Sequence, residues 1–137
     1  MSTEKARILV VDDDVDLVAQ MEVQLKASGY EVLPAYGQAE AEGVLARERV
    51  DLAVVDLMME HADAGFALCH HIKKKDPAIP VIVVTAVLSE TGLEFDAATA
   101  EERSWVKADA VLAKPVRYSQ LHRKVEELLR SKTQNSK

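Results

Sequence analysis

The sequence predicts one α/β domain, built as a doubly wound parallel sheet with helices on both faces. Short apolar runs rich in branched residues show no polar alternation, which is typical of strands covered on both faces. Segments with helical spacing of apolar residues alternate strictly with these runs. Such an order implies parallel strands joined by right-handed crossovers. A chain of 137 residues fits one domain of this kind.

Five segments are predicted to be the strands of this sheet. Four have the continuous apolar pattern, namely residues 8–11, 52–55, 81–84 and 110–113. The remaining segment, residues 31–36, contains Pro34. Because proline has no N–H to donate to a central ladder, this strand is expected at an edge of the sheet.

Four helices are predicted, one from its helix-forming residues and three from the spacing of their apolar residues. The first is expected to stop at Ser28-Gly29 and the third before Asp76-Pro77, while residues 38–47 of the second are mostly good helix formers. The other three carry apolar stripes, which are Val18, Met21 and Leu25, then Phe66, Cys69 and Ile72, and last Leu121, Val125, Leu128 and Leu129.

Composition limits the classes of function. The formal net charge of -6 argues against a nucleic-acid surface, which normally needs a basic patch. No apolar run approaches the roughly 20 residues needed to cross a membrane, and no secretory signal opens the chain. The single cysteine, Cys69, excludes an intrachain disulfide, so cytoplasm is the expected location. We expect the domain to cover residues 6–130, with flexible termini at 1–5 and 131–137.

Polar residues suited to phosphoryl chemistry follow four of the predicted strands. They are Asp12, Asp13 and Asp14 after the first strand, Asp56 after the third, Thr85 after the fourth and Lys114 after the fifth. The ligand site of such a sheet lies at the carboxyl ends of its strands, so these side chains are expected to meet there. Helix capping is the simpler interpretation for Asp14, and we favour it for that residue alone.

Clustered carboxylates need a compensating charge. Two of them about 4 Å apart repel by about 4 kcal/mol at an effective dielectric of about 20, unless a cation neutralises them or one acid stays protonated. Oxygen ligands open to water suit Mg²⁺. A carboxylate beside that ion can attack a phosphoryl group to give an aspartyl phosphate. The Lys114 amine and the Thr85 hydroxyl can hold phosphoryl oxygens.

These residues, in this order, resemble the receiver domain of two-component response regulators. The resemblance covers about residues 6 to 130 and implies a flavodoxin-like fold with five strands in the order 2-1-3-4-5. Four motifs in register carry it: Ile8-Leu9-Val10-Val11-Asp12-Asp13-Asp14, Asp51-Leu52-Ala53-Val54-Val55-Asp56-Leu57-Met58-Met59, Pro80-Val81-Ile82-Val83-Val84-Thr85-Ala86 and Lys114-Pro115.

The resemblance also implies a metal site and a site of phosphorylation. Asp56 would be the phosphoacceptor. Asp13 and Asp56 would bind Mg²⁺ directly, with help from the backbone carbonyl of Met58. Asp12 would act on the ion largely through water.

The remaining implied roles concern signalling. Thr85 would be the switch hydroxyl and Lys114 its cationic partner, with the Lys114-Pro115 bond expected to be cis. The phosphodonor would be a phosphohistidine on a sensor histidine kinase or a histidine phosphotransfer domain. The chain would act as a stand-alone switch on an unknown downstream protein, as a monomer or weak homodimer, rather than as a metabolic enzyme.

Three departures from the family pattern stand beside this resemblance. Glu60 replaces the usual proline after the acceptor, in a loop with one added residue. Val111 stands where the family often has a Tyr or Phe that acts as a rotamer switch. The stretch 86–109 is longer than usual, and Thr99-x-x-Glu102 within it predicts a helix start by a capping box. We interpret this stretch as a remodelled surface for partners.

Two alternative functions stay open at this point. The first is a Mg²⁺-dependent phosphohydrolase, which uses the same residue types but commonly needs a further acid or base. The second is a pseudo-receiver that binds partners without phosphorylation. A separate hypothesis concerns the apolar side chains of Met58 and Val87, which would shield the acyl phosphate from water. Unchanged autodephosphorylation in Met58→Asn and Val87→Glu would refute it.

Overall fold

The computed structural model describes residues 5–56, 64–85, 109–113 and 116–135. Within these ranges, each predicted strand and helix is present. The strands are β1 Arg7–Val11, β2 Glu31–Ala35, β3 Leu52–Asp56, β4 Val81–Thr85 and β5 Ala110–Ala113. The helices are α1 Val15–Ala27, α2 Gln38–Arg47, α3 Ala64–Lys75 and α4 Tyr118–Asn135. The capping-box helix predicted from Thr99 lies outside the described residues.

All five strands form one parallel sheet in the order β2-β1-β3-β4-β5. This confirms the predicted fold class and strand order. Among the described strands, β2 pairs only with β1 and is an edge strand, as its proline predicted. In the register of the central strands, Val11 lies beside Val55, and Asp56 lies beside Val84. The carboxyl ends of β1, β3 and β4 are therefore aligned.

Two apolar layers cover the two faces of the sheet. On one face, Leu45 of α2 and Leu68 and Ile72 of α3 belong to one core cluster with Leu9 and Val55. On the other face, a second cluster joins α1 and α4 to alternate residues of the same strands; it includes Val18, Leu25, Leu121, Val125, Ile8, Val54 and Ile82. Burying each such side chain contributes about 1.5–3 kcal/mol. This double coverage explains why the strands lack polar alternation.

The ends of α1 are set by local residues. The side chain of Asp14 accepts the backbone N–H groups of Asp16 at 3.1 Å and Leu17 at 3.2 Å, which confirms its predicted role as a cap. At the other end, Gly29 has a φ of 98°, a left-handed conformation that other residues rarely adopt. Both boundaries therefore follow from side chains that the sequence places there.

The last helix is longer than the sequence indicated. It continues to Asn135, beyond the predicted domain end at residue 130. The flexibility of residues 1–5 and 131–137 stays a prediction. In the described part of the chain, no helix has both the length and the apolar character that crossing a bilayer requires.

Candidate functional site

Two acidic residues lie at the same edge of the sheet because of the strand register. Asp56 is the last residue of β3, and Asp12 comes directly after β1. The preceding residues of the two strands, Val55 and Val11, are register partners. Neighbouring strands lie roughly 4.8 Å apart, so the next residue of each strand falls beside the other. The parallel pairing of β1 and β3 thus brings Asp12 and Asp56 together.

Three carboxylates form one cluster at this edge. One carboxylate oxygen each from Asp12, Asp13 and Asp56 lie within 4.8 Å of one another. The side chains differ in exposure, since Asp12 is 1% exposed and Asp56 is 2% exposed, whereas Asp13 is open to solvent. Buried carboxylates are rare unless they are paired or bind a cation. The cluster therefore combines two buried acids with one that water can reach.

The backbone around Asp12 holds its carboxylate in place. Its Oδ1 atom accepts the N–H of Asp14 at 3.0 Å, and its own N–H donates to the carbonyl of Ala35 at 3.2 Å. The Asp14 side chain instead caps α1. Of the three consecutive aspartates, two belong to the cluster and one begins the helix.

The donor set of the cluster fits a small divalent cation. Carboxylate oxygens are the hard ligands that Mg²⁺ prefers, and the exposed side of the site at Asp13 leaves room for the waters that this ion keeps. A divalent charge would also offset the mutual repulsion of the three acids. The N-terminus of α1, with its partial positive charge, begins beside the cluster at Val15 and lowers that repulsion further.

The other predicted site residues are only partly described. Thr85 ends β4, and its register partner Ala113 ends β5, so the backbones of both strands end at the same edge as Asp56. Lys114 and Pro115 follow β5 but lie outside the described residues, as do Met58, Glu60 and Val87. The roles of Thr85, Lys114 and Met58 and the form of the Lys114-Pro115 bond stay predictions.

The family model described as "Response regulator receiver domain" matches residues 8–126 of the chain. The chain belongs to this family. Receiver domains bind Mg²⁺ at an acidic pocket and interact with histidine kinases or phosphotransfer proteins. The cluster of Asp12, Asp13 and Asp56 gives this receiver domain an acidic pocket of its own.

Two curated relatives of the receiver domain come from Escherichia coli. They are the transcriptional regulatory protein GlrR of strain K12 and the transcriptional regulatory protein QseF of O157:H7, each 36% identical over 129 residues. The alignments cover 94% of this chain but 27% of each relative. The chain thus spans about a quarter of the length of these two regulators.

Solved structures with the same fold include other receiver domains, one of them in complex with a ligand. A CheY-like receiver domain protein from Methanospirillum hungatei JF-1 is 27% identical, with a TM-score of 0.81 over 96% of this chain and 99% of that one. The response regulator TrrA from Thermotoga maritima, solved in complex with Mg(2+)-BeF, is 28% identical, with a TM-score of 0.71 over 90% and 98%.

In β5 of this receiver domain, residue 111 is a valine and not an aromatic residue. Its side chain is half-buried and packs against the core cluster on the side of α2 and α3. A branched aliphatic side chain has few rotamers and cannot swing between a buried and an exposed position as a ring can. A conformational change that transmits a signal in this receiver domain must therefore involve residues other than Val111.

A groove that the sequence did not predict lies between α1 and α4, beside the acidic cluster. Its volume is about 580 Å³, and its lining includes Leu17, Met21, Val84, Val116 and Leu121. The one sign of this groove in the sequence is the spacing of Leu17 and Met21, which lie beside the buried apolar stripe of α1. Whether such a flank is covered depends on how far apart the two helices pack, which the sequence does not state.

Tyr118 closes the groove at its far end. Its hydroxyl lies 2.6 Å from Ser28 Oγ and donates to the carbonyl of Gln24 at 3.0 Å. Its ring stacks on His122, with centroids 5.4 Å apart and planes inclined by 8°. These contacts tie the first turn of α4 to the last turn of α1.

Proposed function

We propose that this receiver domain accepts a phosphoryl group on Asp56 in a reaction that depends on Mg²⁺. The observation that carries the proposal is the cluster itself, in which the buried Asp56 carboxylate lies with Asp12 and Asp13 within 4.8 Å. Without a cation, the mutual repulsion of these carboxylates costs free energy. A bound cation would offset this repulsion. Membership of the receiver family supports the same conclusion.

Asp13 and Asp56 would hold the ion directly, the backbone carbonyl of Met58 would add a ligand, and Asp12 would act through water. The bound ion supplies charge neutralisation for the oxygens of the incoming phosphoryl group. Asp12 and Asp13 keep the site negative enough to attract the cation.

The chemical step is a transfer between two side chains. One carboxylate oxygen of Asp56 attacks the phosphorus atom of a phosphohistidine, the P–N bond breaks, and its electron pair stays on the imidazole of the donor. The product is an aspartyl phosphate. Lys114 would hold one oxygen of the transferred group by its charge, and the hydroxyl of Thr85 would donate a hydrogen bond to another. The donor would be a sensor histidine kinase or a histidine phosphotransfer domain.

The output would be a change of affinity for a downstream protein. Movement of Thr85 toward the phosphoryl group would alter the stretch 86–109, which follows it directly in the chain. The acidic composition supports a protein partner for these residues over a nucleic acid. The receiver domain would thus act as a switch in the cytoplasm rather than as an enzyme with a metabolic substrate.

The test is to incubate the protein with Mg²⁺ and acetyl phosphate and to weigh it by mass spectrometry. We expect the mass of one added phosphoryl group, lost in Asp56→Asn and after chelation of Mg²⁺. Asp14→Asn is the matched control, because Asp14 is a neighbouring acid outside the cluster and this variant should still be phosphorylated. No added mass would favour a pseudo-receiver, and steady turnover of a generic phosphate ester would favour a phosphohydrolase. Either result contradicts the proposal.

A further inference from the structure

The groove between α1 and α4 has the apolar lining of a small-molecule site. Its floor includes Val84 and Leu121, two buried members of the core cluster on this face of the sheet. Its walls include Leu17, Met21 and Val116, which are only partly buried. The volume of about 580 Å³ lies within the range of roughly 300–1,000 Å³ that is common for ligand pockets. A molecule in the groove would therefore cover apolar surface that the described structure leaves open.

A few polar groups line the same groove and can orient a ligand. Gln20 and Gln24 lie about one helical turn apart on α1, and their side-chain amides form no hydrogen bond with the described residues. The hydroxyl of Tyr118 is engaged with Ser28 and with the carbonyl of Gln24, so Tyr118 offers its ring rather than its hydroxyl. Apolar walls with a small number of hydrogen-bonding groups are typical of sites that bind small organic molecules.

The charges at the groove determine the sign of the ligand. Among the described lining residues, only Asp14 is charged. Its Oδ1 atom accepts both capping N–H groups, and its Oδ2 atom has no hydrogen-bond partner in the described part of the chain.

Further negative charge lies beside this end of the groove. Asp14 directly follows Asp13 of the acidic cluster, which also contains Asp12 and Asp56. The partial positive charge at the start of α1, roughly half an elementary charge, offsets only part of this. Arg117 lines a different pocket. The potential at the groove is therefore negative, which attracts a cation and repels an anion.

We propose that the groove between α1 and α4 binds a small organic cation with an aromatic body. The aromatic body would lie on Val84 and Leu121, where the Met21 sulfur and the Tyr118 ring provide favourable contacts for it. The charged group would lie toward Asp14. The inference does not depend on the proposed phosphorylation, because none of the three clustered acids is among the described lining residues.

Titration of the full chain with three naphthalene compounds tests the proposal. Naphthylmethylammonium, naphthalenemethanol and naphthylacetate share one ring system and carry a positive charge, no charge and a negative charge. In EDTA, the methyl resonances of Leu17, Met21 and Leu121 should shift, and the cation should bind at least about tenfold more tightly than the anion. Unchanged methyl resonances, or equal affinities for the cation and the anion, would overturn the proposal.

Two lysine variants test where the charge acts. Gln20→Lys adds an ammonium group to the lining of the groove and should reduce the advantage of the cation over the anion at least about threefold. Ala67→Lys is the control, because Ala67 is exposed on α3 and the variant adds the same charge away from the groove. Thermal unfolding checks that both variants are folded. Equal effects of the two variants would mean that net charge, and not the groove, sets the affinity, and would contradict the proposal.

Discussion

The Lys73 ammonium group lies 2.7 Å from Asp109 Oδ2, at the edge of the sheet opposite the acidic cluster. The same carboxylate oxygen accepts the N–H of Val81 at 2.8 Å, and Lys73 also donates to the carbonyl of Ile79 at 2.8 Å. The end of α3, the start of β4 and the residue before β5 are therefore joined by one network.

Asp109→Ala should lower the free energy of unfolding by about 1–3 kcal/mol, because the N–H of Val81 loses its acceptor and the ammonium group of Lys73 loses its carboxylate partner. The control is Glu127→Ala, which removes the exposed pair with Lys124 at 3.1 Å and should cost less than about 1 kcal/mol. Urea denaturation of the two variants measures both values. Equal losses would show that the network is no stronger than an ordinary surface ion pair.

The acidic cluster should make stability depend on divalent cations. Asp13→Asn removes one of three mutually repelling charges, so without Mg²⁺ it should raise the free energy of unfolding by about 1 kcal/mol. In excess Mg²⁺ the wild-type protein should gain stability by binding the ion, and the variant should gain less. Thermal unfolding with EDTA and with Mg²⁺ gives both comparisons. A Mg²⁺ response as large in the variant as in the wild type would mean that Asp13 is not a ligand.

Asp14 should affect the stability of α1 and not the metal site. Asp14→Ala loses the acceptor for the N–H groups of Asp16 and Leu17 and should cost about 1 kcal/mol of stability. Asp14→Ser keeps a capping oxygen and should recover most of the loss. Mg²⁺ titration by calorimetry should give similar affinities for both variants and the wild type. A large loss of affinity in Asp14→Ser would place Asp14 in the site.

Cys69 should make the protein less stable at alkaline pH. Burial raises the pKa of its thiol to about 12, with Lys73 acting in the opposite direction and Asp109 in the same one. The unfolded thiol ionises at about 8.5, so the folded state retains a proton that the unfolded state loses. The contribution of the protonated thiol to stability is fully present below the pKa of the unfolded state. It is lost as the pH rises toward the folded pKa, by up to about 1.4 kcal/mol per pH unit.

Cys69→Ala should remove this part of the pH dependence even though it lowers stability at neutral pH. Denaturation of the wild type and the variant at a series of pH values above about 8.5 compares the two slopes. Parallel curves would show that the thiol does not contribute.

The sequence by itself determined the order and type of the described elements. The signals were the continuous apolar runs, the proline of β2, the capping aspartate at residue 14 and the glycine at residue 29. Each of them acts through near neighbours in the chain, and each prediction from them is confirmed. The strand order came from the family resemblance rather than from these patterns. The aspartates at strand ends also predicted that carboxylates would meet at the carboxyl edge of the sheet, where Asp12, Asp13 and Asp56 lie together.

Only the tertiary structure decided how close those aspartates lie to one another. The packing of both sheet faces fixes the register of β1 on β3, and that register brings Asp12 to Asp56 while Asp14 turns to the helix. The groove beside α1 and the pairing of Lys73 with Asp109 arise in the same way. Local patterns encode burial and capping, whereas distances between remote residues depend on how whole elements pack against one another.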